Sequence, residues 1–250
     1  MNERFPKFHT HPLSIRDMWD TMTDQSEPFL LINFKTYLEA TGKKAVELAL
    51  KMEKVGNETG VKVGVAPQFC DIAQVAAKVA IPVFAQHVDA ILPGAFTGHV
   101  LAESVSAAGA TGTLINHSER NLKLPEIEKA VQRAREVGLT TVVCAGTARL
   151  GAAVALSEPD TVAIEPPDLI GTGRAVSKEN PEILTDSVRR IRNVNSTVTI
   201  LCGAGISTGE DVYAALKLGT NGVLVASGVV KAPKPEDVVL DFCNAVRRLA

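Results

Sequence analysis

The chain has 250 residues, of which 46% are hydrophobic, and its 26 basic and 28 acidic side chains leave a formal net charge of −2. This length can bury a large core as one domain or two small ones, and the mixed charge predicts neither a basic face for nucleic acid nor an acidic tail. No stretch approaches the ~18 apolar residues of a membrane span, and no uninterrupted apolar run opens the chain, so neither export nor membrane insertion is expected.

The four cysteines, Cys70, Cys144, Cys202 and Cys243, are far apart in the sequence, and none forms a CxxC pair. Cys144 and Cys202 lie inside apolar runs that are typical of strands. We therefore expect reduced core thiols in a cytoplasmic protein.

Residues 1–28 differ from the rest and are interpreted as an N-terminal extension to a catalytic domain over 29–250. Four apolar residues from Ile15 to Met22 fall at i, i+3, i+4 and i+7, which predicts a short amphipathic helix at 14–22. Three interpretations stay open: a mobile arm, a helix that docks on its own domain or on a neighbouring subunit, and a natural start at Met22.

From Phe29 onward, short apolar runs alternate with segments of helical periodicity. The runs predict strands at 29–34, 62–66, 82–86, 111–115, 140–145, 161–165, 198–202 and 221–226. The periodic segments predict helices at 41–58, 71–79, 99–108, 124–137, 147–156, 180–193, 208–218 and 235–249. The strand runs are continuous rather than alternating, as expected for parallel strands that are covered on both faces.

Eight βα units with short connections predict either a closed (β/α)₈ barrel or a doubly wound open sheet. The open sheet would normally carry a glycine fingerprint after its first strand. Here Lys35-Thr-Tyr37 follows that strand, and no GxGxxG opens a helix. We therefore predict a compact α/β (β/α)₈ barrel, whose chemistry lies at the carboxyl ends of its strands.

A carboxylate and a hinged loop follow the sixth predicted strand. Glu165 ends that strand, Pro166-Pro167 cannot continue a sheet, and Gly171-Thr-Gly173 restores backbone freedom. This arrangement suits a loop that moves as one piece, and residues 166–173 are called the lid below. Glu165 is therefore a candidate general base.

Other polar groups follow the remaining strands on the same predicted rim. Asn33 and Lys35 end the first strand, and 116–120 (Asn-His-Ser-Glu-Arg) ends the fourth. Glycine-rich turns follow the seventh and eighth strands at 202–207 and 226–228.

Together these pieces resemble the triosephosphate isomerase family in its short archaeal type. The resemblance runs in family order from about Phe29 to the C-terminus, and residues 1–28 depart from the family's usual compact start. The matching pieces are Asn33-Phe-Lys35, Ala85-Gln86-His87, Asn116-His117-Ser118-Glu119, Glu165-Pro-Pro-Asp-Leu-Ile-Gly-Thr-Gly173, Gly203-Ala-Gly-Ile-Ser-Thr-Gly209 and Val225-Ala-Ser-Gly228.

The resemblance implies an aldose–ketose isomerase in which Glu165 is the base and His117 the electrophile. That family is itself the standard worked case of a neutral histidine held by a helix N-terminus, and here 118–120 is expected to form such a first turn. Lys35 would supply positive charge and Asn33 a donor to the developing oxyanion. Glu119 is expected to orient Lys35 rather than act as a second base.

The resemblance also implies that backbone N–H groups hold the substrate phosphate, since no Walker motif or arginine cluster is present. Glycine lets the backbone approach the anion, and a short helix after the eighth strand would add dipole attraction. The expected phosphate-binding residues are Ile170, Gly171, Gly205, Ala226 and Ser227.

The expected partners are a small phosphorylated triose and further copies of the chain, as a dimer or a tetramer, with no nucleic acid and no membrane. No metal is expected, because no histidine or carboxylate cluster has metal-site spacing, and proton transfer beside a carbonyl needs no cofactor. Arg174, just past the lid, has no assigned role. Two other functions stay open: another phosphate-binding (β/α)₈ enzyme, and a catalytically silent barrel that acts as a scaffold.

Overall fold

The computed structural model describes residues 27–169 and 171–249. The predictions for 1–26, including the helix at 14–22, and the prediction for Ile170 lie outside the described residues.

Eight strands form within these two ranges, and each lies inside the apolar run predicted for it. A continuous apolar run forms a strand here because both of its faces become covered. The strands are β1 Phe29–Asn33, β2 Lys62–Ala66, β3 Phe84–Ala85, β4 Gly112–Ile115, β5 Thr140–Ala145, β6 Thr161–Ile164, β7 Thr199–Cys202 and β8 Gly222–Val225.

All strand pairs are parallel, in the order β2-β1-β8-β7-β6-β5-β4-β3. The two outer strands of that order meet through a parallel bridge between Val65 and Val83, which closes the sheet on itself. The predicted (β/α)₈ barrel is therefore confirmed, and the open sheet is excluded.

Ten α-helices are found in the described ranges. They are α1 Lys43–Thr59, α2 Ile72–Ala76, α3 Ala102–Ala107, α4 Leu124–Glu136, α5 Ala148–Ala155, α6 Val176–Glu179, α7 Pro181–Val194, α8 Gly209–Lys217, α9 Ser227–Val230 and α10 Pro235–Arg247. The sequence predicted each of these except α6, and α9 is the short helix expected after the eighth strand. Proline begins α7 and α10, where its missing N–H costs nothing. No helix in 27–169 or 171–249 combines the length and the apolar character that crossing a bilayer requires.

Two layers of apolar side chains hold the barrel together. One lies between the strands and the surrounding helices, and the other fills the barrel interior with alternate residues of the strands. Phe29 and Phe84 meet in the interior with ring centroids 6.1 Å apart. Gly64 and Gly112 give these rings room, because a Cβ at either position would lie 2.8 Å or less from a phenylalanine ring atom.

The cysteines form no disulfide. Cys144 on β5 and Cys202 on β7 are buried and unpaired, which confirms the expected core thiols. Burial raises the pKa of Cys202 to about 12, so its thiol stays protonated near neutral pH.

Candidate active site

A cavity of about 300 Å³ opens at the carboxyl ends of β1, β4, β6, β7 and β8. It brings together most of the residues that the sequence singled out. Glu119 lies beside the cavity, against Lys35, and Ile170 is outside the described residues. The predicted residues in the lining are Asn33, Lys35, His117, Glu165, Gly171, Gly205, Ala226 and Ser227.

The backbone at Lys35 is held in a conformation that non-glycine residues rarely adopt, with φ of 47°. Its N–H donates to Asn33 Oδ1 at 2.9 Å, and its carbonyl accepts from Gln86 Nε2 at 2.8 Å. The bond to Oδ1 fixes the orientation of the Asn33 amide, whose nitrogen is the group that can donate to a ligand. The resemblance gave Gln86 no role, and its support of Lys35 depends on a contact between the carboxyl ends of β1 and β3.

The Lys35 ammonium lies 3.0 Å from Glu119 Oε1. The lysine side chain is only 10% exposed, whereas that of Glu119 is 60% exposed. The ion pair fixes a positive charge at the cavity wall, with the carboxylate on its solvent side.

His117 is buried, and hydrogen bonding assigns its tautomer. The Glu119 N–H donates to Nδ1 at 3.2 Å, so the neutral ring carries its proton on Nε2. Nε2 faces the base, 3.6 Å from Glu165 Oε1. The arrangement therefore offers the cavity an N–H donor beside a carboxylate.

The expectation that 118–120 begins a helix is wrong. These residues form a turn closed by a 2.7 Å bond from Arg120 N to the His117 carbonyl, and α4 begins only at Leu124. A single turn suffices to aim one N–H at the imidazole, so the donor arises without a helix.

Asn116 stabilises the turn at 117–120 through two side-chain hydrogen bonds. The residue is buried with φ of 59°, its Nδ2 donates to the Cys144 carbonyl at 2.9 Å, and its Oδ1 accepts from Leu122 N at 2.8 Å. Its position directly before His117 was the only sequence signal for this role.

Glu165 is buried, with 4% of its surface exposed, and its Oε2 has no hydrogen-bond partner within the described part of the chain. Burial raises the pKa of Glu165, and the nearby His117, Cys144 and Lys35 offset only part of that effect. A carboxylate with a raised pKa is a stronger base when it is ionised.

Gly203 provides the space in which Glu165 lies. A Cβ at position 203 would come within 2.4 Å of Glu165 Cγ and 2.9 Å of Oε1. The sequence indicated this glycine only as part of a glycine-rich turn. Its contact with the carboxylate required the fold.

The turns after β7 and β8 also line the cavity. Gly205 has φ of 72°, and a Cβ there would lie 1.9 Å from the Arg174 carbonyl oxygen, so only glycine fits. Ala226 precedes α9, whose first N–H groups have no partner inside the helix. Turns of this kind present N–H donors to an anion.

Arg174 pairs with Glu179, with its Nε 3.2 Å from Oε2. Its side chain is 65% exposed, and it does not line the cavity.

These groups suit removal of a proton from a carbon beside a carbonyl in an anionic substrate. Glu165 can accept the proton, His117 Nε2 can donate to the oxygen, and Lys35 can stabilise the negative charge that develops. Among residues 27–169 and 171–249, no three His, Cys, Asp or Glu side chains cluster so that they could hold a metal ion.

Comparison with known proteins gives a consistent match. A family model described as "Triosephosphate isomerase" matches residues 28–246. A curated triosephosphate isomerase from Methanosarcina acetivorans is 51% identical over 219 residues, which cover 88% of this chain and 99% of the relative. The one from Methanocaldococcus jannaschii is 50% identical, over 87% of this chain and 99% of the relative. The one from Methanothermobacter thermautotrophicus is 48% identical, over 92% of this chain and 100% of the relative.

Proposed function

The chain belongs to the triosephosphate isomerase family, and from this premise we propose that Glu165 and His117 carry out its proton transfers. The chain is an isomerase that interconverts glyceraldehyde 3-phosphate and dihydroxyacetone phosphate, in glycolysis and gluconeogenesis. The observation that carries the proposal is the 3.6 Å approach of His117 Nε2 to Glu165 Oε1 inside the cavity.

Glu165 is the base of this mechanism. Its carboxylate takes a proton from the carbon next to the substrate carbonyl, which leaves an enediolate, and returns the proton to the adjacent carbon. The buried position of Glu165 supports this role, because little of the carboxylate is accessible to water.

His117 acts on the carbonyl and hydroxyl oxygens of the substrate. Its Nε2–H donates to the carbonyl oxygen as negative charge develops there, and the same nitrogen passes a proton between the two oxygens of the enediolate. The bond from Glu119 N to Nδ1 supports this assignment, because it leaves the proton on the nitrogen that faces the cavity.

Lys35 and Asn33 assist electrostatically. The ammonium is already fixed by Glu119, so little reorganisation is needed when the substrate becomes more negative. The Asn33 amide nitrogen donates to the same oxygen.

We assign the phosphate to the backbone N–H groups of Ile170 and Gly171 in the lid, of Gly205, and of Ala226 and Ser227. Closure of the lid over this anion would exclude water and protect the enediolate from losing its phosphate. Gly205 and Ser227 both line the cavity, which supports the assignment.

We further propose a cytoplasmic homo-oligomer, either a dimer or a tetramer. Unpaired thiols support a reducing compartment. Leu92 and Phe96, 62% and 44% exposed in the connection after β3, support contact between copies. Molar mass by light scattering distinguishes one, two and four copies of the 26.5 kDa chain.

Replacement of Glu165 by glutamine tests the assignment of the base. The variant keeps the side-chain shape but cannot accept the proton, so kcat for glyceraldehyde 3-phosphate in a coupled assay should fall by about 10²–10⁴-fold or more. Glu128→Gln, on the exposed face of α4, is the matched control and should keep wild-type activity. Near-normal turnover by Glu165→Gln would refute the role.

A further inference from the structure

Asp211, in the first turn of α8, makes more contacts than helix capping requires. Its Oδ2 accepts hydrogen bonds from Ser207 N at 3.0 Å, Thr208 N at 2.9 Å and Ser207 Oγ at 3.2 Å. The bond from Thr208 N belongs to an ordinary capping box. The two bonds from Ser207 extend further back and fix a residue that lines the cavity.

The other oxygen of Asp211 is joined to the segment that follows the lid. Lys178 Nζ, in α6, lies 2.6 Å from Asp211 Oδ1. The neighbouring Ser177 hydroxyl donates to the Asp211 carbonyl at 3.1 Å. Two adjacent residues of α6 thus contact one residue of α8.

The two partners differ in burial. The Asp211 side chain is 5% exposed and that of Lys178 is 50% exposed. Burial alone would raise the pKa of Asp211, but the hydrogen bonds from Lys178, Ser207 and Thr208 outweigh it and lower the pKa, so the carboxylate stays ionised.

Main-chain contacts continue the same connection towards the cavity. Val176 N donates to the Ala204 carbonyl at 3.2 Å. The Arg174 carbonyl lies so close to Gly205 that a Cβ on Gly205 would be 1.9 Å from its oxygen. Residues 174–178 therefore lie along the turn at 204–207. The ion pair of Lys178 with Asp211 stabilises this contact at the end nearer to α8.

We propose that Lys178 and Asp211 are positioning residues that hold the turn at 204–207 against the C-terminal end of the lid, in the place where the turn meets the substrate phosphate. The inference rests on the proposed function, because the anion at this turn is the phosphate of the triose. Loss of the ion pair frees the turn and the lid end to shift relative to each other, and a shift of about 1 Å at a binding group can cost 10²-fold in rate. Neither residue touches the reacting carbons.

Lys178→Met tests the proposal because it removes the charge at a half-exposed site and keeps the length of the side chain. Two substrates are compared, glyceraldehyde 3-phosphate and glyceraldehyde, which lacks the phosphate. The reaction of glyceraldehyde is measured by proton exchange in D₂O. We expect kcat/KM for the phosphate-bearing substrate to fall about 10-fold, and the loss with glyceraldehyde to be several-fold smaller. Affinity for 2-phosphoglycolate, measured by calorimetry, should also fall about 10-fold.

Two further variants separate positioning from a general effect of charge or stability. Lys178→Arg keeps the cation and should restore most of the loss. Lys51→Met removes a lysine of similar exposure, 47% against 50% for Lys178, from its ion pair with Glu236 at 3.1 Å on α1 and α10, and should behave like the wild type.

The contrary results distinguish failure of the positioning role from failure of the proposed function. Equal losses on both substrates, wild-type kinetics in Lys178→Met, or the same loss in Lys51→Met would each refute the positioning role. A wild-type protein with no activity on glyceraldehyde 3-phosphate would instead refute the proposed function.

Discussion

Replacing Gly203 by alanine adds a methyl group where the Glu165 side chain crosses the turn after β7. The new Cβ would lie 2.4 Å from Glu165 Cγ and 2.9 Å from both Cδ and Oε1. Carbon atoms in contact are normally about 3.5–4.0 Å apart, so the carboxylate must move by about 1 Å or more. A displacement of that size at a reacting group costs about 10²-fold in rate, which corresponds to about 2.7 kcal/mol in the activation free energy.

The assay is kcat/KM for glyceraldehyde 3-phosphate, with thermal unfolding measured in parallel to verify that the barrel is folded. Gly94→Ala is the matched control, because a Cβ there lies 3.5 Å from the Phe96 ring in ordinary contact. We expect a loss of about 10²-fold in Gly203→Ala and none in Gly94→Ala. A folded Gly203→Ala variant with wild-type kcat/KM would show that Glu165 does not act from the position it occupies beside Gly203.

Three further predictions concern pH and ligand. In the pH profile of kcat/KM, activity should be lost on the acidic side with a pKa above the ordinary glutamate value of 4.5. The reason is that burial raises the pKa of Glu165 and only the ionised carboxylate accepts a proton. An acidic pKa at or below 4.5 in that profile would contradict this. The folded state holds that proton more tightly than the unfolded state, so the contribution of Glu165 to stability is present below pH 4.5 and is lost as pH rises through the raised pKa. Glu165→Gln should therefore raise the Tm at pH 7 relative to the wild type but not at pH 4. Finally, 2-phosphoglycolate at 100 times its Kd should stabilise the wild type by about 2.7 kcal/mol, seen as a rise in Tm, and no shift at saturation would count against the phosphate site.

Much of the fold was predictable because its signals are local. A short continuous apolar run bounded by turn residues favours a buried strand, and helical periodicity with a proline at the first turn indicates a helix without reference to distant residues. Strand β3 is shorter than its run and α6 was not predicted, since a helix of four residues, Val176–Glu179, is too short to show a period.

The candidate site was predictable for a related reason. In a parallel barrel the residues that follow each strand meet on one rim. A residue's position directly after a strand therefore predicts that it lies near the others. This placed Lys35, His117 and Glu165 around one cavity before any distance was known. The turn after His117 was mistaken for a helix because three polar residues suit either structure.

The sequence alone thus determined the eight strands, every described helix except α6, and the set of chemical groups on the rim. Only the tertiary structure decided how those groups are held: the bridge from Val65 to Val83 that closes the barrel, the space at Gly203 for the carboxylate, and the ion pair between Lys178 and Asp211. Each depends on residues that are distant in the chain, whose distances and burial are set by packing, and neither composition nor periodicity carries that information.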